Sequence, residues 1–326
     1  MIYKQVSRIE GKISAIGIGC WNFGGDWDSS NDENSIKIVH AAIDNGISLF
    51  DVAPVYGWHH AEKVLGKALK GGLREKVIIA SKCGLVWDDN HVTINDLSKK
   101  NILREIDESL QRLQTDYIDI YQLHWPDPKT PIEETASALS EIKKTGKIRH
   151  VGLSNFSQTD VETFMSHIEI DAQQSLYNMF ERNTDSYHNI PLAYRTEREV
   201  LPTVRKYGQA FLPYTPLFQG LLAGKFKNGV NFSERDIRGQ NPKFSPDRFR
   251  QYYEGYLKIQ AIADEMGKPV GQLALNWLRQ KPEVTSIING IGSLTQLQDN
   301  IASTQWDIPA EYMAKIDAAI APFENL

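Results

Sequence analysis

The chain contains 326 residues, 41% of them hydrophobic, and its net charge of -5 includes no basic tract that could follow a nucleic-acid backbone or an anionic membrane surface. Only Cys20 and Cys83 are present, without the paired spacing of a zinc site or a disulfide framework, which fits a reducing cytoplasm. No apolar run approaches the roughly 18 residues needed to span a bilayer. We therefore expect one cytoplasmic domain over residues 1–326, with neither nucleic acid nor membrane as a partner and with its oligomeric state open.

The opening segment YKQVSRIEGKISAIG is typical of a β-hairpin, predicted to turn at Glu10-Gly11 and to cover the bottom of the fold. Short apolar runs then alternate with longer amphipathic runs, beginning with IGIGC, SIKIVHAAIDNG, SLFDVA and AEKVLGKALKGG. Three of the predicted helices stop at a glycine, namely Gly46, Gly146 and Gly208, where a left-handed residue is favoured. Eight strand–helix units of roughly 40 residues each predict an α/β fold, a (β/α)8 TIM barrel with an N-terminal β-hairpin and long top-face loops.

Polar residues end three of the predicted strands: Asp51 in SLFDVA, Lys82 in VIIASK and His124 in YIDIYQLH, and Tyr56 follows the first of them. Taken singly, such a residue often does no more than close a strand or cap a loop. Taken together they are harder to explain in this way, because charges in a barrel mouth are unfavourable unless they pair. Active sites of (β/α)8 barrels lie at this end of the strands. We therefore expect the four residues to form a catalytic cluster.

The four side chains suit acid–base chemistry on a carbonyl group. A tyrosine has an ordinary pKa of about 10, and the ammonium of Lys82 beside Tyr56 would favour the phenolate and lower that pKa. Asp51 would hold Lys82 in place, while His124 would donate a hydrogen bond that orients a carbonyl oxygen toward Tyr56. None of these groups accepts electrons, so a reduction here requires a bound hydride donor, and no metal is predicted.

Six segments, in this order and spacing, resemble the aldo-keto reductase superfamily over nearly the whole chain: FDVAPVYG, IIASKCG, TDYIDIYQLHWPD, GKIRHVGLSNF, YTPLFQGLLAGKF and INGIGSLTQLQDN. The resemblance makes Asp51, Tyr56, Lys82 and His124 the family's catalytic tetrad. Histidine at position 124, where steroid double-bond reductases of the family have glutamate, implies carbonyl–alcohol chemistry. The segments are most similar to the bacterial and potassium-channel-β-like branch. The resemblance thus implies an NAD(P)-dependent oxidoreductase that interconverts an aldehyde, ketone or sugar with an alcohol, using Tyr56 as general acid/base.

The resemblance also implies a dinucleotide cofactor, NADP or NAD, on top of the barrel. Ser154, Asn155 and Gln174 would hold the nicotinamide carboxamide, and Tyr214 would stack on the nicotinamide ring. The alternatives are simple capping by Ser154 and Asn155 and core packing by Tyr214. The segment that would fold over the pyrophosphate contains Thr215, Leu217, Gly220 and Lys225.

The loop 290–300 would bind the adenosine, but it lacks the lysine or arginine usual in members that prefer NADP. A charge-assisted hydrogen bond contributes roughly 1.5–3 kcal/mol, so its loss would reduce NADP preference by about tenfold to a hundredfold. Arg235 or Arg238, in SERDIRGQNPKF, could replace the missing charge, unless they only face solvent. The family favours NADP slightly, and the loop leaves NAD open. The loop residues that match the family are Gly290, Gln296, Asp299 and Asn300.

Tryptophans in the predicted top-face loops favour an aromatic substrate pocket. Trp21, Trp58 and Trp125 are the candidates for substrate contact, while Trp87 is expected to pack a loop against the barrel, as Trp58 also could. The segment 183–195 is longer than the usual connection after the sixth strand and is expected to shape the substrate mouth.

Three further residues near the predicted site receive structural interpretations. His59 and His60 are adjacent and lack a third ligand, so we expect a helix start or pocket rim there rather than a metal site. Cys83, beside Lys82, is expected to be a small packed residue rather than a redox sensor.

Two other functional classes fit parts of the pattern. Lys82 at a strand end could form a Schiff base, but a lysine paired with Asp51 stays protonated and is a poor nucleophile. A cofactor-binding regulatory subunit with little turnover is the second alternative, because potassium-channel β subunits resemble this family. Fast turnover of a small aldehyde would distinguish an enzyme from such a subunit.

Overall fold

The computed structural model describes residues 1–25, 31–226, 230, 232–233 and 236–324. Within these residues, eight parallel strands form a closed barrel in which each strand pairs with the strands before and after it, and the eighth pairs with the first. The predicted (β/α)8 barrel is therefore confirmed. The strands are β1 (Ile16–Gly19), β2 (Leu49–Asp51), β3 (Ile78–Cys83), β4 (Ile118–Leu123), β5 (Ile148–Ser154), β6 (Ala172–Leu176), β7 (Ala210–Tyr214) and β8 (Ile287–Gly290).

Helices follow the strands and cover the outside of the barrel. Gly46, Gly146 and Gly208 lie just beyond three of these helices with φ values of 83°, 79° and 64°, in the left-handed conformation that the sequence predicts for them. The helices are α1 (Asp32–Asp44), α2 (His60–Ala68), α3 (Lys99–Leu113), α4 (Ile132–Lys144), α5 (Gln158–Met165), α6 (Leu201–Tyr207), α7 (Pro246–Glu265), α8 (Val270–Arg279), α9 (Leu294–Ala302) and α10 (Ala310–Ile320).

Helix α7 is absent from the alternation that the sequence analysis predicts. It runs for 20 residues before α8, and Gly255 interrupts its apolar pattern. A Cβ atom on Gly255 would lie 2.9 Å from ring atoms of both Phe180 and Phe323, so a glycine is needed for the helix to pack this closely. Among the described helices, none is long and apolar enough to cross a membrane.

The N-terminal hairpin is present, but it turns elsewhere than predicted. Its strands are Tyr3–Val6 and Ile9–Ser14, which places the turn at Ser7-Arg8 and makes the prediction of a turn at Glu10-Gly11 wrong. Gly11 has a φ of 89° and lies inside the second strand, opposite a shift in the pairing register. The positive φ that a glycine allows is thus used by a bulge and not by the turn.

The apolar core has two parts, one between the barrel and its helices and one inside the barrel. Ile9 and Ile13 of the hairpin enter the lower end of the barrel, as predicted for a segment that covers its bottom. Side chains on a strand alternate between its two faces, so residues two positions apart share a face. Polar side chains follow directly above this interior layer, which contains Leu49, Ala80, Ile120, Ala172, Ala210, Leu212 and Ile288.

Candidate active site

Asp51 and Lys82 form a buried ion pair inside the top of the barrel. Asp51 is the last residue of β2 and Lys82 stands near the end of β3, each two positions above an apolar interior residue. The ammonium nitrogen of Lys82 donates to both carboxylate oxygens of Asp51, at 2.7 and 2.9 Å, and to the carbonyl oxygen of Val52 at 3.2 Å. The Lys82 side chain is 0% exposed, so the carboxylate is what balances its charge.

Tyr56 lies in the turn after β2, and its hydroxyl group reaches the same ammonium. The Nζ atom of Lys82 lies 3.0 Å from the Tyr56 hydroxyl oxygen. The turn is fixed by a close backbone contact: a Cβ atom on Gly57 would lie 1.9 Å from the carbonyl oxygen of Gly24. The Trp21 ring stacks against Tyr56, with ring centroids 5.8 Å apart and an angle of 20° between the planes. The Gly24–Gly57 contact therefore fixes the backbone beside Tyr56, and the Trp21 ring packs against its side chain.

His124 follows β4 and lies next to this group. Its backbone nitrogen donates to the Cys83 carbonyl oxygen at 3.0 Å, and its ring meets the Tyr56 ring edge-on with centroids 6.0 Å apart. The structure thus brings together the four residues that the sequence predicts as a cluster. Cys83 is packed in the outer core, where burial raises the pKa of its thiol, in line with the predicted packing role.

Burial, more than the neighbouring charges, sets the protonation of these groups. It raises the pKa of Tyr56 well above its ordinary value, with a further contribution from the Asp51 carboxylate, so the expectation of a lowered pKa for Tyr56 is wrong: burial outweighs the opposing effect of the Lys82 ammonium. Burial also lowers the pKa of Lys82, and Asp51 opposes this effect. The pKa of His124 lies well below its ordinary value because of burial and the Lys82 charge. At neutral pH the phenol is protonated and the imidazole is neutral.

A second group of polar side chains lies at the ends of β5, β6 and β7. Asn155 has a φ of 68°, and its side-chain nitrogen donates to the His124 carbonyl oxygen at 3.1 Å and to Ser154 Oγ at 3.0 Å. The Tyr214 hydroxyl donates to Asn155 Oδ1 at 2.8 Å. Gln174 donates from Nε2 to Asp51 Oδ1 at 2.8 Å. Of the four residues predicted to hold a nicotinamide, Gln174 thus bonds Asp51 and Asn155 bonds His124, while Ser154 and Tyr214 are joined to this group through Asn155.

The segment predicted to cover a pyrophosphate follows β7 and has an unusual backbone. Thr215 has a φ of 59° and Gly220 a φ of 111°, and Gly220 packs against the aliphatic part of Lys225. Leu217 accepts the backbone N–H of Gly220 at 3.0 Å. Arg238 pairs with Asp236 and donates to the Gln219 carbonyl oxygen at 3.4 Å, so it lies against this segment. Arg235, the other candidate for a phosphate contact, lies outside the described residues.

The loop after β8 is anchored by side chains from the first part of the chain. Asn22 donates to the Ile291 carbonyl oxygen at 2.6 Å and Asn34 donates to that of Gly292 at 3.0 Å. Ser293 caps α9, with its Oγ accepting the backbone N–H of Gln296 at 3.2 Å, and the Gln296 side chain accepts that of Gly292 at 2.8 Å. Of the other residues predicted to bind adenosine, Gly290 and Asp299 are exposed and Asn300 is buried.

Tryptophans line the rim, and the structure divides them into two groups. Trp21 lies on Tyr56, and Trp125 is half-buried beside His124 and packs against the outer core. Trp58 stacks instead on His91 at 4.2 Å and meets Trp87 at 5.2 Å, on a short hairpin formed by Leu85–Trp87 and Thr93–Asn95. Trp87 therefore packs a loop, as expected, and so does Trp58, which remains 36% exposed.

His59 and His60 stand at the start of α2, in agreement with the predicted helix-start role. His59 is the residue before the helix, with a φ of 78°, and His60 is its first residue and bonds Asp32 Oδ1 at 2.7 Å. In the part of the chain that the structure describes, no three His, Cys, Asp or Glu residues are grouped to bind a metal ion.

Several residues that support this site were not predicted from the sequence. The segment 183–195, predicted as a long connection that shapes the substrate mouth, contains a small ribbon and Tyr194, whose hydroxyl donates to Asn155 Oδ1 at 3.0 Å. Lys243 and Glu181 form a buried ion pair at 3.0 Å, and Asn178 links Glu181 to the Thr215 carbonyl oxygen. The sequence indicates that Glu181 is buried only by its position directly after the apolar pair Met179-Phe180.

The donor set on the top face fits a nicotinamide dinucleotide. The Asn300 side-chain nitrogen is buried without a hydrogen-bond partner among the described residues, in the helix where adenosine is expected. Gln174 uses its amide nitrogen on Asp51, while its oxygen accepts no hydrogen bond from the described residues. One buried donor and one open acceptor are thus available at the two ends of the region predicted to bind the cofactor.

Comparison with known proteins identifies the family. The profile of the Aldo/keto reductase family matches residues 15–321. The chain is 36% identical over 323 residues to the aldo-keto reductase YhdN of Bacillus subtilis, covering 98% of this chain and 94% of that protein. It is 31% identical over 306 residues to the NADH-specific methylglyoxal reductase of Escherichia coli, covering 89% and 90%. Its fold is similar to a solved glycerol dehydrogenase of Gluconobacter oxydans, with a TM-score of 0.87, 31% identity and 98% and 95% coverage. The chain therefore belongs to the aldo/keto reductase family of NAD(P)-dependent oxidoreductases, as its resemblance predicted.

Proposed function

We propose that this enzyme interconverts small carbonyl compounds and alcohols with Tyr56 as its general acid/base. The observation that carries the proposal is the position of the Lys82 ammonium, 3.0 Å from the Tyr56 hydroxyl and 2.7 Å from the Asp51 carboxylate. A positive charge held at this distance stabilises the negative charge that develops on the phenol oxygen as its proton leaves. Asp51 keeps that charge in place.

The protonation of the free site suits the direction of carbonyl reduction. Because burial raises the pKa of Tyr56, the phenol carries its proton at neutral pH and can donate it to a substrate oxygen. Because the pKa of His124 is lowered, its neutral ring can donate one N–H to the same oxygen without adding a charge. In alcohol oxidation the same tyrosine acts as the base, and Lys82 stabilises its phenolate.

The bound dinucleotide supplies the hydride for carbonyl reduction and accepts it in alcohol oxidation. Ser154, Asn155 and Gln174 would hold its carboxamide, and Tyr214 would face its ring. The phosphates would lie along the segment 215–225, with Arg238 behind it. The adenosine would be held by Gly290, Gln296, Asp299 and Asn300.

NADH is the proposed form of the cofactor. The loop 290–300 contains no lysine or arginine, so nothing in it would pair with a 2′-phosphate. Arg238, which could supply that charge, is already paired with Asp236. The E. coli relative is named as NADH-specific, which points in the same direction.

Three-carbon carbonyls and polyols are the proposed substrate class. Two relatives are named for methylglyoxal and glycerol. Trp21 lies against Tyr56, which favours a small substrate held between an aromatic ring and the acid.

The test is substitution of Tyr56 by phenylalanine, with NADH oxidation measured on methylglyoxal and NADH binding measured by tryptophan fluorescence. We expect kcat to fall by about a thousandfold while the Kd for NADH changes by less than about twofold. Tyr121→Phe is the matched control, because Tyr121 is a buried tyrosine of the outer core whose hydroxyl bonds none of the four catalytic side chains. Full activity of Tyr56→Phe would refute the assignment of the acid. A wild type that binds NADH but reduces no small aldehyde would favour a binding subunit instead.

A further inference from the structure

Gln122 places an uncharged amide inside the barrel, in the same layer as Asp51 and Lys82. It lies in β4, two positions above the interior residue Ile120, so the alternation of side chains points it into the barrel. Its neighbours in register are Lys82 on β3 and Gly152 on β5. The residue is 0% exposed. An amide in this layer therefore has only protein groups to bond with.

The protein leaves half of this amide unsatisfied. Gln122 Oε1 accepts a hydrogen bond from Gln174 Nε2 at 3.4 Å, but Gln122 Nε2 has no partner within the described part of the chain. Space for the side chain comes from Gly152, where a Cβ atom would lie 2.7 Å from Gln122 Cγ. Burial of a donor without a partner destabilises a folded protein. Stability alone does not explain a glutamine here.

The contact with Gln174 supplies an explanation. Gln174 Nε2 donates to Asp51 Oδ1 at 2.8 Å and also meets Gln122 Oε1, so both of its N–H groups have acceptors. The two acceptors fix which side of the Gln174 amide faces the ion pair. Its carbonyl oxygen, on the opposite side, accepts no hydrogen bond from the described residues and is left for a ligand.

We propose that Gln122 is a positioning residue, which holds Gln174 so that its carbonyl oxygen accepts the carboxamide N–H of a bound nicotinamide. This inference rests on the proposed function, because it assumes that the nicotinamide lies beside Gln174. It explains why an unsatisfied amide is kept in the barrel core. It also connects recognition of the cofactor to Asp51, since Gln174 bonds both.

The test compares NADH with ADP-ribose, which has the same adenosine and pyrophosphate but lacks the nicotinamide. In Gln122→Met, which keeps the volume and loses the amide, we expect the Kd for NADH to rise about fivefold and the Kd for ADP-ribose to stay unchanged. The thermal midpoint should change by less than about 2 °C, because the substitution removes the unsatisfied Gln122 donor but leaves one N–H of Gln174 without its acceptor.

Gln173→Met is the matched control. This neighbouring glutamine faces the helices, and its amide bonds Gln209. Here we expect the midpoint to fall by about 2 °C or more, with both affinities unchanged. Equal NADH affinities in wild type and Gln122→Met would overturn the positioning role. An equal loss of affinity for NADH and for ADP-ribose, together with a lower thermal midpoint, would also overturn it. Failure of the wild type to bind either ligand would overturn the proposed function itself.

Discussion

A buried carboxyl group behind the active site gives a quantitative prediction about stability. Glu105 lies on the inner face of α3, and its Oε2 accepts the backbone N–H of Gly84 at 2.7 Å and the side-chain N–H of Asn101 at 2.8 Å. Burial raises the pKa of Glu105 from 4.5 to about 7, although these hydrogen bonds oppose the effect. The group is therefore neutral over part of the range in which an exposed glutamate is charged.

This pKa makes the folded state less stable as the pH rises. Between pH 4.5 and about 7 the folded protein keeps a proton that the unfolded chain has lost. The contribution of this bound proton to the free energy of unfolding is fully present below pH 4.5 and is lost once the pH passes about 7. A difference of about 2.5 in pKa corresponds to about 3 kcal/mol in the free energy of unfolding.

Replacement of Glu105 by glutamine removes the titration and keeps an oxygen acceptor for Gly84 and Asn101. We expect the variant to match the wild type near pH 5 and to exceed its stability by about 2–3 kcal/mol near pH 8. Urea unfolding followed by tryptophan fluorescence at several pH values measures this difference. A constant difference between the two proteins from pH 5 to pH 8 would refute the reasoning.

Glu62 provides the control for this experiment. It is equally buried, but it accepts hydrogen bonds from Arg112 at 2.6 Å and from Ser81 at 2.9 Å. Glu62→Gln removes the nearer of the two carboxylates that pair with Arg112, whose side chain is only 10% exposed, and leaves Glu108 at 3.5 Å as its remaining partner. The variant should therefore lose stability at both pH 5 and pH 8.

Three further predictions concern the site itself. Gly57→Ala should reduce the free energy of unfolding by more than about 3 kcal/mol, because Gly57 has a φ of 58° and contacts the backbone of Gly24. Gly71→Ala is the control: Gly71 has a φ of 73° but open space around it, so this variant should lose only about 1 kcal/mol, and thermal unfolding measures both. Since the pKa of Tyr56 is raised, alcohol oxidation should accelerate continuously with pH from about 6 to 9, while carbonyl reduction stays flat over the same range. A bell-shaped pH profile of carbonyl reduction centred near pH 7 would contradict this. Ser293→Arg should shift the ratio of NADH to NADPH dissociation constants toward NADPH by about tenfold to a hundredfold, and an unchanged ratio in fluorescence titrations would mean that the 2′-phosphate is recognised elsewhere.

The barrel and the four clustered residues could be predicted because both depend on local patterns. Alternating apolar runs identify strands, and the carboxyl ends of parallel strands must meet at one rim, so Asp51, Lys82 and His124 had to lie close together. The hairpin turn was misplaced because glycine permits a positive φ in a bulge as readily as in a turn. The local sequence at Gly11 does not distinguish the two.

The protonation of Tyr56 was mispredicted for a different reason. The sequence indicates which charges are near, but the loss of water around a side chain depends on every segment packed over it. Here Trp21 and the Gly24 contact come from a loop more than thirty residues away in the chain. The contacts of Gln122, Tyr194 and Lys243 are also long-range and have no local signature.

The junction between β8 and β1 has a consequence for how the protein is made. Ile287 pairs with Ile16 and Gly290 with Gly19, so the barrel closes only through contacts between positions near opposite ends of the sequence. Asn22 and Asn34 then fix the loop proposed for adenosine. During synthesis, the ribosome must release the eighth strand before either the closed barrel or this loop can form. Dinucleotide binding can therefore stabilise the fold only after the eighth strand has paired with the first, and until then the sheet has two open edges.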